Sequence, residues 1–410
     1  MQRGEKNKSK KKDKILILSS TFGEGHQQVA YAVREAVQSR LPDAEPVVVD
    51  FMAVAHSYLY PISRYVYMKG IKKLPSLYGY FYQKTRRVNP FSIKLNSFLS
   101  TGMGRMLKLL QEVQPSIVVS TFPFAAGVMS KLKGCGLTNI PAVTIITDYT
   151  DHSYWIHPYT DQYIVGSSLV RHALNRQGIA DSKIADTGIP IKSKFYEHHS
   201  RKDLSVKYGL DFDLPTIMVM GGGHGMIRDG LSTFRELDAL PQPIQLIIVC
   251  GHNEKLRHQL KEELKDSKHR IHLTGYIDYV HELMSISDLI ITKPGGITIS
   301  EAMAMKLPML LYNPLPGQEQ DNAQFLVQAG VAMLAENLTD LRKKLFHLLY
   351  TPKFLIGMKE SVKRFHMKGT NFGALDVIVR TKQQSLSLIF TPDMEVEKGE
   401  PRLESTDSFG

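Results

Sequence analysis

The hydrophobic residues in the first half of the chain form short, nearly unbroken runs separated by longer mixed stretches. After the first run, Val29, Ala30, Val33 and Val37 recur at the spacing of one helix face. Strands that are apolar on both faces and alternate with helices are typical of a parallel sheet covered on both sides. The predicted strands of this half are Ile15–Leu18, Pro46–Val49, Ile117–Ser120, Val143–Ile146 and Gln162–Val165.

The second half repeats the pattern, and each of its apolar runs is followed by a glycine or proline turn and a helical stretch. Its predicted strands are Thr216–Met220, Leu246–Val249, Ile271–Leu273, Leu289–Ile291 and Met309–Tyr312. We therefore predict two doubly wound α/β domains that face each other across a cleft. In such sheets, ligands bind beyond the carboxyl ends of the strands.

Polar and charged segments mark the boundaries of the two predicted domains. The predicted organisation is an N-terminal domain over 14–190, a polar linker over 191–204 and a C-terminal domain over 205–390, whose last helix is able to return to the first domain. The basic arm 1–13 and the acidic tail 391–410 are expected to be disordered.

Several classes of protein are excluded by composition and length. The 410 residues are 43% hydrophobic and 22% charged, as in an ordinary soluble protein. No run approaches the ~20 apolar residues of a membrane-spanning helix, and the charged start is unlike a signal peptide. The two cysteines, Cys135 and Cys250, have no metal-site spacing and indicate a reduced, cytoplasmic setting.

The net charge of +11 is unevenly distributed. Residues 51–111 contain ten Lys/Arg, eleven aromatic residues and no acid. Three interpretations are open: a solvated basic face, a nucleic-acid surface, or a surface for anionic membranes. No nucleic-acid motif accompanies the segment, so the membrane interpretation is favoured and no nucleic-acid partner is expected. The residues of this segment that are predicted to meet a membrane include Tyr65, Lys72, Lys73, Tyr82, Arg86 and Arg87.

Glycine marks the first candidate binding loop. The sequence Gly221-Gly-Gly-His-Gly225 directly follows a predicted strand and precedes a stretch able to form a helix. Glycines allow a ligand to approach the backbone closely, and the amides at a helix N-terminus bind phosphate. The alternative is an ordinary glycine-rich turn, since this is neither a P-loop nor a GxGxxG motif.

The second candidate loop lies between Asp288 and Ala302. The pattern predicts a strand, the turn Pro294-Gly-Gly296, and a helix that opens at Thr298 with Glu301 in its first turn. Glu301 could accept both hydroxyls of a ribose, or it could only favour the helix dipole.

A third polar loop follows the strand at Met309–Tyr312. Gln318, Glu319 and Asn322 in Pro314–Asn322 can contact the hydroxyls of a sugar. The alternative is a helix cap.

These motifs resemble the GT-B glycosyltransferases of family 28, especially bacterial processive diacylglycerol glucosyltransferases and plant monogalactosyldiacylglycerol synthases. The run Gly275–Val331 carries most of the resemblance, which is nearly collinear over about residues 14–385. Matching segments also include Gly23–His26, Thr121–Pro123, Thr147-Asp148 and Thr187–Pro190.

The resemblance implies a UDP-sugar donor in the C-terminal domain. Ile277 would meet the uracil through its backbone, and Glu301 would hold the ribose. The glycine turns would surround the diphosphate, with Gly222, Gly223, His224, Pro294, Gly295 and Gly296 at the site. Gln318, Glu319 and Asn322 would contact the hexose, which is glucose by the closer bacterial match but stays open.

The family also implies inversion by a single displacement, which needs a base for the acceptor hydroxyl and compensation for charge on the leaving diphosphate. His26 is the candidate base because an imidazole titrates near neutral pH. Asp148 is the rival, as base or as a carboxylate that orients a histidine. Glycine-loop amides and a helix dipole can stabilise the leaving group, so no metal or other cofactor is expected.

The acceptor implied by the resemblance is a membrane lipid such as diacylglycerol, reached from the cytoplasmic face by a peripheral protein. Gly25 and Trp155, together with the basic and aromatic residues of 51–111, would lie on the acceptor and membrane side. Two alternatives stay open. One is a GT-B enzyme acting on a polyprenyl-linked or soluble acceptor, and the other is a non-catalytic UDP-sugar sensor.

Overall fold

The computed structural model describes residues 12–55, 74–99, 101–223, 225, 230–366 and 372–390. Within them the chain forms two parallel six-stranded sheets, each in its own lobe. The strands of the N-terminal lobe are β1 (Asp13–Ser19), β2 (Ala44–Asp50), β3 (Ile117–Ser120), β4 (Ala142–Ile145), β5 (Gln162–Ile164) and β6 (Ile184–Ala185). Those of the C-terminal lobe are β7 (Thr216–Met220), β8 (Gln245–Val249), β9 (Arg270–Thr274), β10 (Leu289–Thr292), β11 (Met309–Tyr312) and β12 (Ala332–Ala335).

Helices separate most of these strands, as the alternating pattern predicts. The described helices of the N-terminal lobe are α1 (Glu24–Arg40), α2 (Phe51–Ala55), α3 (Pro75–Lys84), α4 (Pro90–Leu99), α5 (Met103–Val113), α6 (Pro123–Gly134) and α7 (Ser168–Asn175). They are followed by α8 (Arg201–Lys207), α9 (Leu231–Asp238), α10 (Glu254–Glu263), α11 (Val280–Ile286), α12 (Gly296–Ala304), α13 (Gln318–Gln328), α14 (Leu338–Tyr350), α15 (Pro352–His366) and α16 (Gly373–Phe390).

The strand order places the site. The first sheet runs β2-β1-β3-β4-β5-β6, and the second runs β12-β11-β10-β7-β8-β9. The order reverses between β1 and β3 in the first sheet and between β7 and β10 in the second. Ligands bind where the strand order reverses, because the connections there leave in opposite directions and open a crevice. The loops after β1, β7 and β10 carry the glycine-containing motifs, and the third polar loop follows the neighbouring β11.

The continuous apolar runs are buried on both faces. Leu16, Ile17 and Leu18 of β1 are fully buried, as are Ile217, Met218 and Val219 of β7. Two strands were not predicted from the sequence. They are the two-residue β6 and the edge strand β12, whose sequence Ala-Met-Leu-Ala lacks β-branched residues.

The segment 191–204 joins the lobes and is more ordered than a polar linker suggests. It contains a short 3-10 helix, Ser193–Tyr196, and the first residues of α8. Phe195 anchors it in the core and is only 2% exposed.

The last helix, α16, crosses back to the N-terminal lobe, where it packs on α1, β3 and β5. Lys382 forms an ion pair with Asp13 at the start of β1, and the Arg40 guanidinium lies 3.6 Å from the ring centroid of Phe372. The chain therefore passes between the lobes twice. Among the described residues, no helix has the length and apolar character needed to cross a bilayer.

Candidate functional site

A cavity of about 830 Å³ lies between the lobes, at the carboxyl ends of β1, β7 and β10. This volume lies within the range of small-molecule sites. Most of the predicted residues line it: Gly25, His26, Asp148, Gly222, Gly223, Ile277, Gly295, Gly296, Glu301, Gln318 and Glu319. Tyr82, Trp155, Pro294 and Asn322 do not line it.

The first glycine turn follows β7 at the floor of the cavity. Gly222 has a φ of +72°, a left-handed conformation that glycine adopts without strain. A side chain at Gly223 would overlap the carboxylate of Glu24, which reaches across from α1. Gly222 therefore leaves the backbone accessible to a ligand, whereas Gly223 is closely packed against Glu24 of the other lobe. His224 lies outside the described residues.

The second glycine turn follows β10. The helix after it, α12, begins at Gly296 and not at Thr298, so the prediction that Glu301 lies in its first turn was wrong. Glu301 lies in the second turn, so the alternative role of favouring the helix dipole from the first turn does not apply. A side chain at Gly296 would collide with the carbonyl of Thr147, and therefore glycine lets the two lobes touch beside the cavity.

Pro294 was predicted as a donor-site residue and is buried behind the turn. Its carbonyl accepts a hydrogen bond of 2.9 Å from the side-chain amide of Asn322. Its effect is to hold the turn, not to line the cavity.

The carboxylate of Glu301 faces the cavity from α12. Desolvation raises its pKa to about 8, although Lys192 and Lys194 of the linker act in the opposite direction. A carboxyl group with this pKa is protonated in most molecules at neutral pH. It is a poorly solvated acceptor that hydroxyl groups of a ligand could satisfy.

Lys293, which the sequence analysis missed, lies between the first glycine turn and the third loop. Its Nζ is 2.9 Å from Glu319 Oε1, and its aliphatic end approaches Gly222. Both oxygens of Glu319 are engaged, because Oε2 accepts from the amide of Leu315. A lysine directly after a strand and before a glycine turn was the available signal, since phosphates attract such a cation.

Gln318 opens α13 at the cavity wall and accepts a hydrogen bond from the Tyr78 hydroxyl of α3. The third loop is thus held by a residue of the opposite lobe.

The structure corrects the role of Asn322. Its side chain is 0% exposed, and its amide donates to Asp148 Oδ1 at 3.0 Å and to Pro294. Its carbonyl accepts from the backbone amide of Tyr149 at 2.6 Å. Asn322 therefore positions Asp148 and does not reach a sugar directly.

Asp148 lies at the meeting point of the two lobes. Burial raises its pKa to about 6, with a further upward contribution from Glu319 and Asp321, while Asn322 and Lys293 lower it. Asp148 titrates close to neutral pH as a result.

His26 lies in the first turn of α1 and faces the cavity. Its Nδ1 is 3.0 Å from Thr147 Oγ1, and its ring packs edge-on to Phe122 with centroids 5.2 Å apart. Burial lowers its pKa to about 4, so the imidazole is neutral at physiological pH. In the tautomer in which Nδ1–H donates to Thr147, Nε2 keeps its lone pair.

Trp155 was predicted near the cleft, as an acceptor or membrane residue, and the structure places it next to His26 but too deeply buried to meet a membrane surface. The indole is 0% exposed and lies 6.0 Å from the ring of His26, centroid to centroid. Trp155 therefore packs behind His26, the candidate base.

Tyr82 and Arg86 were predicted as acceptor or membrane residues of the basic and aromatic segment, and the structure places both between the lobes. The Tyr82 hydroxyl donates to Asp321 Oδ2 at 2.8 Å, and Arg86 bridges Asp321 at 2.6 Å and Asp151 at 2.9 Å. Thr150 also donates to Asp321, at 2.7 Å. We call these residues, Tyr82, Arg86, Thr150, Asp151 and Asp321, the interlobe cluster.

The outward side of α3 and α4 is different. It exposes a group of large apolar side chains, which we call the apolar patch: Leu74, Leu77, Tyr80, Phe81, Val88, Phe91 and Ile93. Arg87, Lys84 and Lys94 are exposed beside it. Tyr65, Lys72 and Lys73 lie outside the described residues.

Comparison with known proteins matches both lobes to known families. The monogalactosyldiacylglycerol (MGDG) synthase model matches residues 26–191, and the glycosyltransferase family 28 C-terminal domain model matches residues 216–369. A processive diacylglycerol beta-glucosyltransferase of Bacillus cereus strain B4264 is 31% identical over 358 residues, which cover 87% of this chain and 91% of the relative. The chain belongs to this family of glycosyltransferases. The enzyme of the same name from Bacillus pumilus is 31% identical to this glycosyltransferase over 89% of the chain and 94% of its own length.

Solved structures confirm the GT-B fold of this glycosyltransferase. Acinetobacter baumannii MurG aligns with a TM-score of 0.59 at 14% identity, over 90% of this chain and 99% of its own. The S. aureus MnaA–UDP complex aligns with a TM-score of 0.58 at 16% identity, over 93% and 99% of the two chains. At these identities the likeness establishes the architecture alone.

Proposed function

We propose that this glycosyltransferase moves a hexose, glucose in the first instance, from a UDP-sugar to the hydroxyl of membrane diacylglycerol with inversion. The observation that carries the proposal is the composition of the cavity walls. One wall offers two glycine turns, a lysine and a desolvated carboxyl group, and the opposite wall offers His26 and Asp148. The names of the relatives supply the lipid acceptor and the glucosyl group.

In this proposal the donor lies along the C-terminal lobe. The diphosphate lies against the amides of Gly222, Gly223 and Gly296, next to the positive charge of Lys293. Charge that develops on the leaving UDP is stabilised by these donors and by the N-terminus of α12, without a metal ion or other cofactor. Glu301 accepts hydrogen bonds from the ribose, and Ile277 meets the uracil through its backbone.

The hexose extends toward α13. Gln318 and Glu319 are held in place by Tyr78, Lys293 and the Leu315 amide. A carboxylate oxygen has more than one lone pair, so Glu319 can still accept from a sugar hydroxyl. Asn322 contributes by fixing Asp148.

We assign the base to His26. Its imidazole is neutral, and the hydrogen bond between Nδ1 and Thr147 fixes the ring while Nε2 takes the proton of the acceptor hydroxyl. Asp148, which Asn322 holds in place, lines the same cavity and is the alternative base.

The pH dependence distinguishes the two bases. Because the pKa of His26 is about 4, kcat with His26 as base stays constant as the pH falls from 8 to 6 and is still largely retained at pH 5. With Asp148 as base, kcat falls about tenfold per pH unit below a pKa of about 6. We expect the flat profile, measured at saturating donor and lipid. An acid limb near pH 6, together with activity that is abolished in Asp148→Asn and largely kept in His26→Ala, would transfer the role to Asp148.

A lipid acceptor requires the protein to work at a membrane surface, and we propose a peripheral position on the cytoplasmic face. The apolar patch with its adjacent Lys84, Arg87 and Lys94 supports this, because aromatic and basic side chains together favour an anionic headgroup layer.

The decisive experiment is transfer from radiolabelled UDP-glucose, UDP-galactose and UDP-N-acetylglucosamine to vesicles that contain diacylglycerol. Labelled lipid with UDP-glucose supports the proposal, and its loss in Glu301→Ala ties it to the cavity. UDP release without labelled lipid would indicate another acceptor. Saturable nucleotide binding with no turnover would indicate a sensor and overturn the proposal.

A further inference from the structure

Three side chains with metal-binding atoms meet behind the cavity, where the linker lies against the C-terminal lobe. Glu197 and His199 follow the short helix Ser193–Tyr196, and His281 is the second residue of α11. One oxygen of Glu197 and one nitrogen of each histidine lie within 4.8 Å of one another. Of the residues that the structure describes, these are the ones grouped closely enough to hold a metal ion.

The two histidines have unused nitrogen atoms. His199 Nε2 and His281 Nδ1 are buried and have no hydrogen-bond partner in the described part of the chain. His281 is only 8% exposed, and its ring centroid lies 5.2 Å from that of His199. Buried polar atoms are nearly always satisfied, so paired imidazoles with unsatisfied nitrogens indicate a missing ligand.

We propose that Glu197, His199 and His281 bind one divalent transition-metal ion. Two imidazoles and one carboxylate, with water in the fourth position, are a known donor set for Zn²⁺. Metal–ligand bonds of about 2.0–2.2 Å place the ligands of a tetrahedral site roughly 3.4 Å apart. The observed spacing of up to 4.8 Å is closed by rotation of the side chains, and Glu197 and His199 lie on a segment exposed enough to allow it.

The ion would join the linker to the C-terminal lobe. The linker also carries Lys194 and Phe195 to the cavity wall, and α11 begins three residues after Ile277. A metal bound at this junction therefore fixes the linker beside the nucleotide end of the cavity. It stands apart from the transferring sugar, so it is a structural ion and takes no part in bond making or breaking.

The test uses the full-length, tag-free protein after treatment with a chelator. Co²⁺ is titrated first, because its visible absorption reports tetrahedral coordination by nitrogen and oxygen, and Zn²⁺ is then used to displace it. We expect one ion per chain, displacement by Zn²⁺ and a rise in the thermal unfolding midpoint when Zn²⁺ is added, since ligands that bind only the native state stabilise it.

Variants assign the site. His199→Ala and His281→Phe are expected to weaken Zn²⁺ binding at least tenfold, and the phenylalanine keeps the ring packed against Phe195. His198→Ala is the matched control, because this exposed neighbour is not in the cluster, and it is expected to bind as the unchanged protein does. If His281→Phe fails to fold, His199→Ala on the linker decides alone. Equal affinities in His199→Ala and His198→Ala, or no saturable binding at about 100 µM Zn²⁺, would overturn the proposal.

Discussion

Two sides of the same short helix, α3, have opposite environments. On one side Tyr78 and Tyr82 contact the C-terminal lobe, where they donate to Gln318 and Asp321. On the other side Leu77, Tyr80 and Phe81 are exposed to solvent. Aromatic residues occur on both sides of α3, and the basic residues Arg86 and Arg87 come soon after the helix in the sequence.

The comparison shows that composition alone does not separate a membrane surface from a contact between lobes. Arg86 and Arg87 are neighbours in sequence, yet the Arg86 side chain is 30% exposed in the interlobe cluster and that of Arg87 is 63% exposed. What separates them is Asp321, an acid 235 positions away that only the fold brings to Arg86. A basic residue belongs to an interface when the opposite surface supplies its counter-charge.

The largest effect is expected from Arg86→Ala. The substitution leaves the nearly buried Asp321 without its cation, and the stability loss is about 2–3 kcal/mol after allowance for the partial exposure of Arg86. Transfer activity should fall with it, since the cluster holds the lobes around the cavity. The measurement is the denaturant midpoint together with kcat/KM.

Arg87→Ala is the matched control for that substitution. Its ion pair with Asp151 is 3.4 Å long, Arg87 is 63% exposed, and Asp151 keeps its shorter pair of 2.9 Å with Arg86, so the expected change in stability is under about 0.5 kcal/mol. Equal destabilisation by the two substitutions would contradict the assignment of Arg86 to the interface.

Tyr82→Phe tests the same side of α3 more gently. The ring stays in place while the hydroxyl that contacts Asp321 and Thr150 is lost, which costs about 1–2 kcal/mol. Thermal unfolding reports the change. Binding to anionic vesicles should be unaffected, and a loss of vesicle binding at unchanged stability would return Tyr82 to the membrane surface.

Phe81→Ser tests the outer side. Removal of one exposed aromatic residue from the apolar patch is expected to lower vesicle affinity about fivefold to tenfold, because its transfer into the headgroup layer is lost. UDP binding should be unchanged. Phe346→Ser is the control, since Phe346 is 44% exposed on the C-terminal lobe and Phe81 is 42% exposed. Equal effects on vesicle affinity would mean that the apolar patch has no special role.

The smallest effect is expected from Lys94→Gln. One basic residue near an anionic surface contributes at most about fivefold in affinity, and salt reduces it further. Co-sedimentation with vesicles at low and high ionic strength measures it. An effect that does not depend on salt would show that Lys94 acts by packing and not by charge.

Sequence patterns predicted the sheets well because burial on both faces leaves a local signal. The runs Ile15–Leu18 and Leu289–Ile291 are apolar throughout, so they do not fit the pattern of an amphipathic strand or helix. The turn after each run contains glycine. The loops of the cavity follow from the same pattern, since parallel strands bring their carboxyl ends to one edge.

The contacts between the lobes could not be predicted in this way. Asn322 meets Asp148 across 174 positions, and Arg86 meets Asp321 across 235. No local sequence pattern predicts either pair. Asn322, at a motif position that suggested sugar contact, in fact orients a carboxylate, and Trp155 is held in the interior behind His26.

The return of α16 to the N-terminal lobe has a consequence for dissecting the enzyme. A cut after His366 removes more than a tail, because it strips the cover from part of the first sheet and breaks the ion pair of Lys382 with Asp13. If the chain is divided once, within the linker, α16 stays attached to the C-terminal half although it packs on the N-terminal lobe. Independent production of the first half therefore requires α16 to be supplied with it, either as a peptide or by rejoining the chain in a new order.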